Sequence, residues 1–180
     1  MAERPVHEGH IWRVSVLTVQ APDGHRFERD TVLSPGAVAV VPVLADPEGG
    51  FSVVLVRQYR AALDTDVLEI PAGMRDVDGE PPEDTARREL LEEAGLIAGH
   101  LEPLTVFHNA VGMTDALTHL FLATELRQGA HDRQGVEEQA MEVVQVPLHD
   151  AVAMVGRGEL TDAKTVIGVL LAERMLAGPR

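Results

Sequence analysis

An arginine and three glutamates stand within six residues of one another: Arg88, Glu89, Glu92 and Glu93. On a helix, Glu89 and Glu93 are one turn apart and share a face, with Glu92 beside them. Like charges at that spacing destabilise a bare helix by roughly 0.2–0.5 kcal/mol per pair. A bound cation would relieve that repulsion. An all-oxygen donor set suits a hard divalent ion, Mg²⁺ or also Mn²⁺, better than zinc. The plain alternative for such a cluster is a solvated acidic helix face. Upstream lies a glycine-containing loop, Gly73-Met-Arg-Asp-Val-Asp-Gly-Glu80, closed by Pro81 and Pro82.

Those side chains need elements to carry them. The helix is expected over roughly 82–94, with two prolines at its first turn, Glu83 and Asp84 complementing the helix dipole, and Gly95 placed to end it. Ala86, Leu90 and Ala94 supply its packing stripe. Alternating residues 11–20 predict a strand, Ala21–Gly24 a turn, and 25–33 a second strand. Ser34-Pro-Gly36 breaks the chain. Val38–Leu44 is a continuous apolar run, as in a strand buried on both faces. Asp46–Gly50 then turns the chain into Phe51–Gln58. Ala61–Asp66 reads as a loop and Val67–Ile70 as a short strand. Further strands are expected at about 103–108, 117–124 and 141–146, with a polar loop over 127–139. Helices are expected over 147–156 and 161–176, the last with an apolar stripe at 163, 166, 167, 170 and 171.

Composition bounds the partners. The chain has 180 residues, enough for one domain or one domain with an appendage, and a net charge of 15 − 29 = −14. That charge argues against nucleic acid or an anionic membrane as the main partner. Without cysteine there are no disulfides, thiolate metal sites or cysteine nucleophiles. No apolar run is long enough to span a bilayer, and residues 1–5 show no signal-peptide pattern. A cytoplasmic protein is expected.

The segment from Gly73 to Leu96 resembles the Nudix box: Gly, five residues, Glu, seven residues, then Arg-Glu-aliphatic-X-Glu-Glu-X-Gly-aliphatic. Glu80, Arg88, Glu89, Leu90, Glu92, Glu93, Gly95 and Leu96 occupy its positions, while Gly73 lies one residue too far from Glu80. The extra residue falls in a loop. The resemblance implies an α+β protein, an α/β/α sandwich around a central mixed β-sheet. It also implies an N-terminal antiparallel strand subdomain at 1–36, serving dimerisation and substrate contact, ahead of a hydrolase domain at 37–180. The implied activity is metal-dependent hydrolysis of a nucleoside diphosphate linked to another group. Glu89 and Glu93 match the family's metal ligands, Glu92 a further ligand or supporting carboxylate, and the Ala72 carbonyl a backbone ligand. Arg88 matches the arginine that orients those carboxylates.

The flanks Arg57-Gln-Tyr-Arg60, Leu68-Glu-Ile-Pro-Ala-Gly73 and Thr161-Asp-Ala-Lys-Thr165 are similar to the ADP-ribose pyrophosphatase subgroup. By that resemblance Arg60, with Arg57 as a second candidate, contacts a substrate phosphate. Glu69 hydrogen-bonds substrate, Trp12 stacks on adenine, and Arg29 reaches the site of a partner in a homodimer that exchanges N-terminal strands. Glu137 or Glu138 matches the general base, although Gln139 stands where some relatives carry another acid. The loop Ala110-Val-Gly-Met-Thr-Asp-Ala116 keeps Gly112, Thr114 and Asp115 of a substrate-contacting motif. It has Val111 for its proline and Ala116 for its glutamate. The expected reaction converts ADP-ribose to AMP and ribose 5-phosphate. Its rivals are the same chemistry on a GDP-sugar, NADH or a dinucleoside polyphosphate, and a non-catalytic sensor of ADP-ribose.

Overall fold

The computed structural model describes residues 1–129 and 141–178. Three antiparallel strands open the chain: β1 (Ala2–Glu8), β2 (Arg13–Gln20) and β3 (Arg26–Leu33). They form a sheet of their own in that spatial order. The hairpin of β2 and β3 is the one the alternation predicts. Strand β1 is not foreseen from the sequence, because every one of its residues is exposed and it carries no buried stripe. Its backbone pairs along β2 from Ala2↔Thr18 to Glu8↔Arg13, and that pairing alone makes it a strand.

The second sheet contains β4 (Ala37–Ala45), β5 (Phe51–Arg60), β6 (Thr65–Glu69), β7 (Ala72–Met74), β8 (Leu96–His108), β9 (Leu117–Gln128) and β10 (Glu142–Pro147). Its central order is β10-β5-β4-β9-β8, with β6 on β5 and β7 on β4. The β4–β9 pair is parallel and the others antiparallel, so the sheet is mixed. Alternate residues of the central strands serve two cores. Val41, Val43, Val53, Leu55, Leu120 and Leu122 pack under α2 (Leu148–Arg157) and α3 (Ala163–Leu176). Val38, Val40, Val54, Phe121 and Ala123 pack with Ala86, Leu90 and Ala94 of α1 (Pro82–Ala94). The period of two thus produces the expected α/β/α sandwich.

The sheet opens where the site lies. β4 and β5 pair only next to their hairpin, from Val43↔Val53 to Ala45↔Phe51. Beyond it they part, and β7 pairs with the freed end of β4 while β6 pairs with that of β5. Helix α1 begins and ends as its punctuation predicts. Pro81 is its N-cap, and Gly95 takes the left-handed conformation (φ 66°), donating its N–H to the Leu91 carbonyl at 2.9 Å.

Two expectations are corrected. β8 starts at Leu96 instead of about 103; Gly99 and Pro103 interrupt the apolar pattern, and the register shifts between Pro103 and Thr105. In α3 the fully buried residues are Thr165, Gly168, Val169 and Ala172; of the expected stripe, Ile167 and Leu171 pack at the edge of the core, while Ala163 and Leu170 are exposed. The centre of the contact face includes the small residues Thr165, Gly168 and Ala172, which a search for large apolar ones passes over. A Cβ on Gly168 would stand 2.7 Å from Val41 Cγ2 and 3.2 Å from Ile70 Cδ1. Alanine would gain helix propensity of up to about 1 kcal/mol, but overpacking a stiff valine costs roughly 1–3 kcal/mol. Gly168→Ala is therefore expected to lower stability in chemical denaturation. Unchanged or raised stability would show that the helix shifts freely.

Candidate active site

A cleft of about 1020 Å³ lies where β4 and β5 part. Its walls bring together four groups that are far apart in sequence. Helix α1 supplies Arg88, Glu89, Glu92 and Glu93, and β7 supplies Ala72, Gly73 and Met74. Gln58 and Arg60 come from β5, and Asp162, Ala163 and Lys164 from the start of α3. Ile11 and Trp12 close one end from the N-terminal sheet.

The carboxylates sit low in the cleft. Glu89, Glu92 and Glu93 are each more than nine-tenths buried. Arg88 holds two of them, its Nη1 donating to Glu89 Oε1 at 2.7 Å and to Glu92 Oε2 at 3.1 Å. Its Nη2 reaches Glu80 Oε2 at 3.4 Å. Burial alone would lower the pKa of this guanidinium, but the carboxylates of Glu89, Glu80 and Glu92 outweigh it and raise the value. Glu93 Oε2 accepts a hydrogen bond from the Ala72 N–H at 2.9 Å. Burial pushes the Glu93 carboxyl up to about 8; the Ala72 N–H opposes that and the charge of Glu89 adds to it.

Gly73 explains how the cluster fits under β7. A Cβ built on it would overlap the carboxyl group of Glu89 itself, so only glycine leaves that seat open. The seat, the buried carboxylates and the Ala72 backbone form an oxygen donor set that fits a hard divalent cation. Among the described residues no three acidic or histidine side chains are already closed around one point. Arg88 and the Ala72 N–H hold the carboxylates where they stand.

The same cleft carries a cationic pole built on Glu69, which is 2% exposed. Arg60 binds it with two donors, Nε to Oε1 at 2.6 Å and Nη2 to Oε2 at 2.7 Å. Lys164 Nζ takes Oε2 as well, and reaches Asp162 Oδ1 at 3.0 Å. Burial alone would raise the pKa of Glu69, but Arg60 and Lys164 outweigh it and lower the value. Asp162 also caps α3, its Oδ2 accepting from the Thr165 N–H at 3.0 Å and Thr165 Oγ1 at 2.6 Å. Both oxygens of Glu69 are thus engaged by Arg60 and Lys164, and the residue sits behind them without lining the cleft itself.

Other expected residues lie elsewhere. Arg57 points to the opposite face of β5 from Gln58 and Arg60 and pairs with Glu142 at 3.1 Å. Arg29 stands outside the cleft with its guanidinium 4.5 Å above the Phe27 ring. Gly112 is in an exposed turn and does not line the cleft. Glu137 and Glu138 fall outside the described residues. Gln58 and Lys164 were not among the expected site residues. Period-two spacing from Arg60 points to Gln58, whereas Lys164 looks like any helix-surface lysine until α3 is docked.

Two outcomes follow from the floor. Gly73→Ala should displace the Glu89 carboxyl and weaken Mg²⁺ or Mn²⁺ binding by calorimetry roughly 10- to 100-fold, as for other losses of ligand support; wild-type affinity would refute the seat. The second outcome concerns Glu93. Between about pH 5 and 8 the folded, metal-free protein keeps a proton on Glu93 that the unfolded chain has lost. The contribution of this group to stability is complete at low pH and declines as pH rises through 8. In chelator, the melting temperature of wild type should fall with pH across that window relative to Glu93→Gln. Parallel profiles would mean that Glu93 ionises normally.

Comparison with known proteins agrees with this arrangement. A model of the NUDIX domain matches residues 34–166. The chain is 37% identical over 169 residues to an ADP-ribose pyrophosphatase of Bacillus subtilis, covering 94% of this chain and 89% of that one. It is 34% identical over 178 residues to an ADP-ribose pyrophosphatase of Mycobacterium tuberculosis, covering 99% and 84%. The crystal structure of an ADP compounds hydrolase has the same fold, with a TM-score of 0.83, 23% identity and coverage of 99% and 93%. Nudix hydrolases use divalent metal ions, in keeping with the oxygen donor set described above. The box helix, the mixed sheet and the matched span together place this chain in the NUDIX family.

Proposed function

We propose that this chain hydrolyses the diphosphate bond of ADP-ribose, giving AMP and ribose 5-phosphate, with Mg²⁺, or alternatively Mn²⁺, as its cation. The observation that carries the reading is the pairing of two opposite poles across one cleft. A buried acidic floor of Glu89, Glu92 and Glu93 faces a cationic wall of Arg60 and Lys164. A diphosphate needs both, because its own negative charge repels a nucleophile. A divalent cation held by Glu89, Glu93, the Ala72 carbonyl and Glu92 would offset that charge. The relatives named as ADP-ribose pyrophosphatases support the choice of nucleotide.

The chain's own residues divide the remaining work. Arg88 fixes the geometry of Glu89 and Glu92. Arg60 spends Nε and one Nη2 hydrogen on Glu69, which leaves its Nη1 donors for a phosphate oxygen. Trp12 offers an aromatic face at the far end of the cleft, beside Ile11, suited to stacking on adenine. Glu137 or Glu138 supplies the base that takes a proton from water. Met141, which follows that segment, lines the cleft and supports the assignment.

The separate β1–β3 sheet and its exposed first strand support a 1–36 subdomain that serves a homodimer. Arg29 then contacts the partner's substrate, consistent with its place outside its own cleft. Arg57 and Gly112 have no part in substrate binding in this reading, since neither lines the cleft. No helix among the described residues is long and apolar enough to cross a membrane, and a cytoplasmic location suits an enzyme of nucleotide metabolites.

The deciding experiment is turnover of ADP-ribose, GDP-mannose, NADH, Ap₄A and CoA with Mg²⁺ and with Mn²⁺, beside the Glu93→Gln variant. ADP-ribose should show the highest kcat/KM, yield AMP and ribose 5-phosphate, and lose most turnover in the variant. A preference for GDP-mannose would reassign the nucleotide. Tight binding of ADP-ribose with no turnover of any compound would favour a sensor.

A further inference from the structure

Trp12 stands in the turn between β1 and β2, and among the described residues the N-terminal sheet is hydrogen-bonded to the rest of the molecule at one place. The hydrogen bonds that tie residues 1–33 to the rest of the described chain fall on Val32. Its N–H donates to the Met113 carbonyl at 2.9 Å, and Thr114 Oγ1 donates to its carbonyl at 2.7 Å. Val32 and Thr114 form a parallel bridge there, away from any longer ladder. Just beyond, the Ser34 N–H donates to Asp115 Oδ1 at 2.9 Å. Every partner belongs to one loop, Ala110–Ala116, between β8 and β9. The loop is itself stiffened where Thr114 Oγ1 accepts from the Ala116 N–H at 3.1 Å.

This attachment is at the end of the sheet that matters for the cleft. Val32 lies opposite Val14 and Leu33 opposite Arg13, so the anchored end of β3 adjoins the start of β2, next to Trp12. The turn bearing Trp12 is closed by the Gly9 N–H to the Trp12 carbonyl at 2.8 Å. Trp12, Ser34 and Asp115 line one small cavity, and Trp12 also lines the main cleft. The connection between the sheets is tight: Gly36 has φ 87°, and a Cβ there would stand 2.8 Å from the Leu117 carbonyl oxygen. With Trp12 54% exposed, its own burial does little to fix it over the cleft.

We infer that the Ala110–Ala116 loop clamps the N-terminal sheet and that Thr114 is a positioning residue for Trp12, holding the nucleotide-stacking wall at its working distance from the acidic floor. The inference rests on the reading of Trp12 as a nucleotide contact for the substrate side of its claim, while the clamp itself does not depend on the substrate. Thr114 acts through Val32 and β2; its hydroxyl does not touch the reacting diphosphate.

Trp12 is the only tryptophan in the chain, so its emission reports the clamp directly. Thr114→Val keeps the shape and removes the hydroxyl. In the full-length protein it should change the intensity and anisotropy of Trp12 emission in the absence of nucleotide. It should also raise KM for ADP-ribose roughly three- to tenfold, the equivalent of one lost hydrogen bond, with kcat within about twofold. Thr114→Ser should restore both, and Asp115→Ala, which loosens the neighbouring bond, should act in the same direction as Thr114→Val. Wild-type emission and KM in folded Thr114→Val would overturn the clamp. Trp12→Ala separates the two readings. If it leaves KM unchanged, Trp12 is not a nucleotide contact, and the emission of Thr114→Val alone decides the clamp. If it raises KM while Thr114→Val changes neither emission nor KM, Trp12 binds nucleotide and the clamp is wrong.

Discussion

The molecule is organised around the burial of like charges. Glu89, Glu92 and Glu93 lie beneath β7 and against the sheet, where ionised carboxylates are costly unless something answers their charge. Arg88 answers part of it and the Ala72 N–H another part, while burial keeps the Glu93 carboxyl well above its ordinary value. The surroundings serve this arrangement. Gly73 removes the side chain that would occupy the Glu89 seat, and Ala86, Leu90 and Ala94 anchor α1 in the core beside the glutamates. The helix can carry a repulsive cluster because its apolar residues are packed into the core and Arg88 pairs with two of the three carboxylates.

The cationic wall solves the inverse problem. A guanidinium and an ammonium placed side by side would repel, but Glu69 and Asp162 stand between and beneath them. Three elements meet there: β5 brings Arg60, β6 brings Glu69, and the first turn of α3 brings Lys164. Thr165 ties α3 to the end of β6, its Oγ1 accepting from the Ile70 N–H at 2.9 Å. The same threonine is held by the Asp162 cap, so helix capping and placement of the wall are one set of bonds.

The acidic floor was legible in the sequence because it is local: a helix and the loop before it specify four side chains by spacing alone. The continuous apolar runs of β4 and β5, the proline start and the glycine stop of α1 were legible for the same reason. What was not legible is what depends on contacts across the chain. Strand β1 has no buried stripe and exists only through its partner. The buried face of α3 is built from Gly168, Thr165 and Ala172, whose small size means something only against Val41 and Ile70. Arg57 and Arg60 are equivalent on paper; the pleat of β5 sends one toward Glu142 and the other into the cleft. Nothing in the sequence showed that Arg60 and Lys164 would both be seated on Glu69.

The parting of β4 and β5 has a consequence for the dimensions of the cleft. The acidic floor stands beside β7 and the cationic wall rises from β5 and β6, and each of these short strands is locked in register to its neighbour by main-chain pairing. The span between the two charges is therefore a length written in backbone, like the gap of a calliper whose jaws are strands. Exchanging side chains can alter what each jaw grips but hardly the opening. A change of span requires adding or removing residues at the joints: between β5 and β6, between β6 and β7, or between β7 and α1, which carries the floor. The extra residue ahead of Glu80 falls at the last of these, in the loop just upstream of the helix that carries the floor.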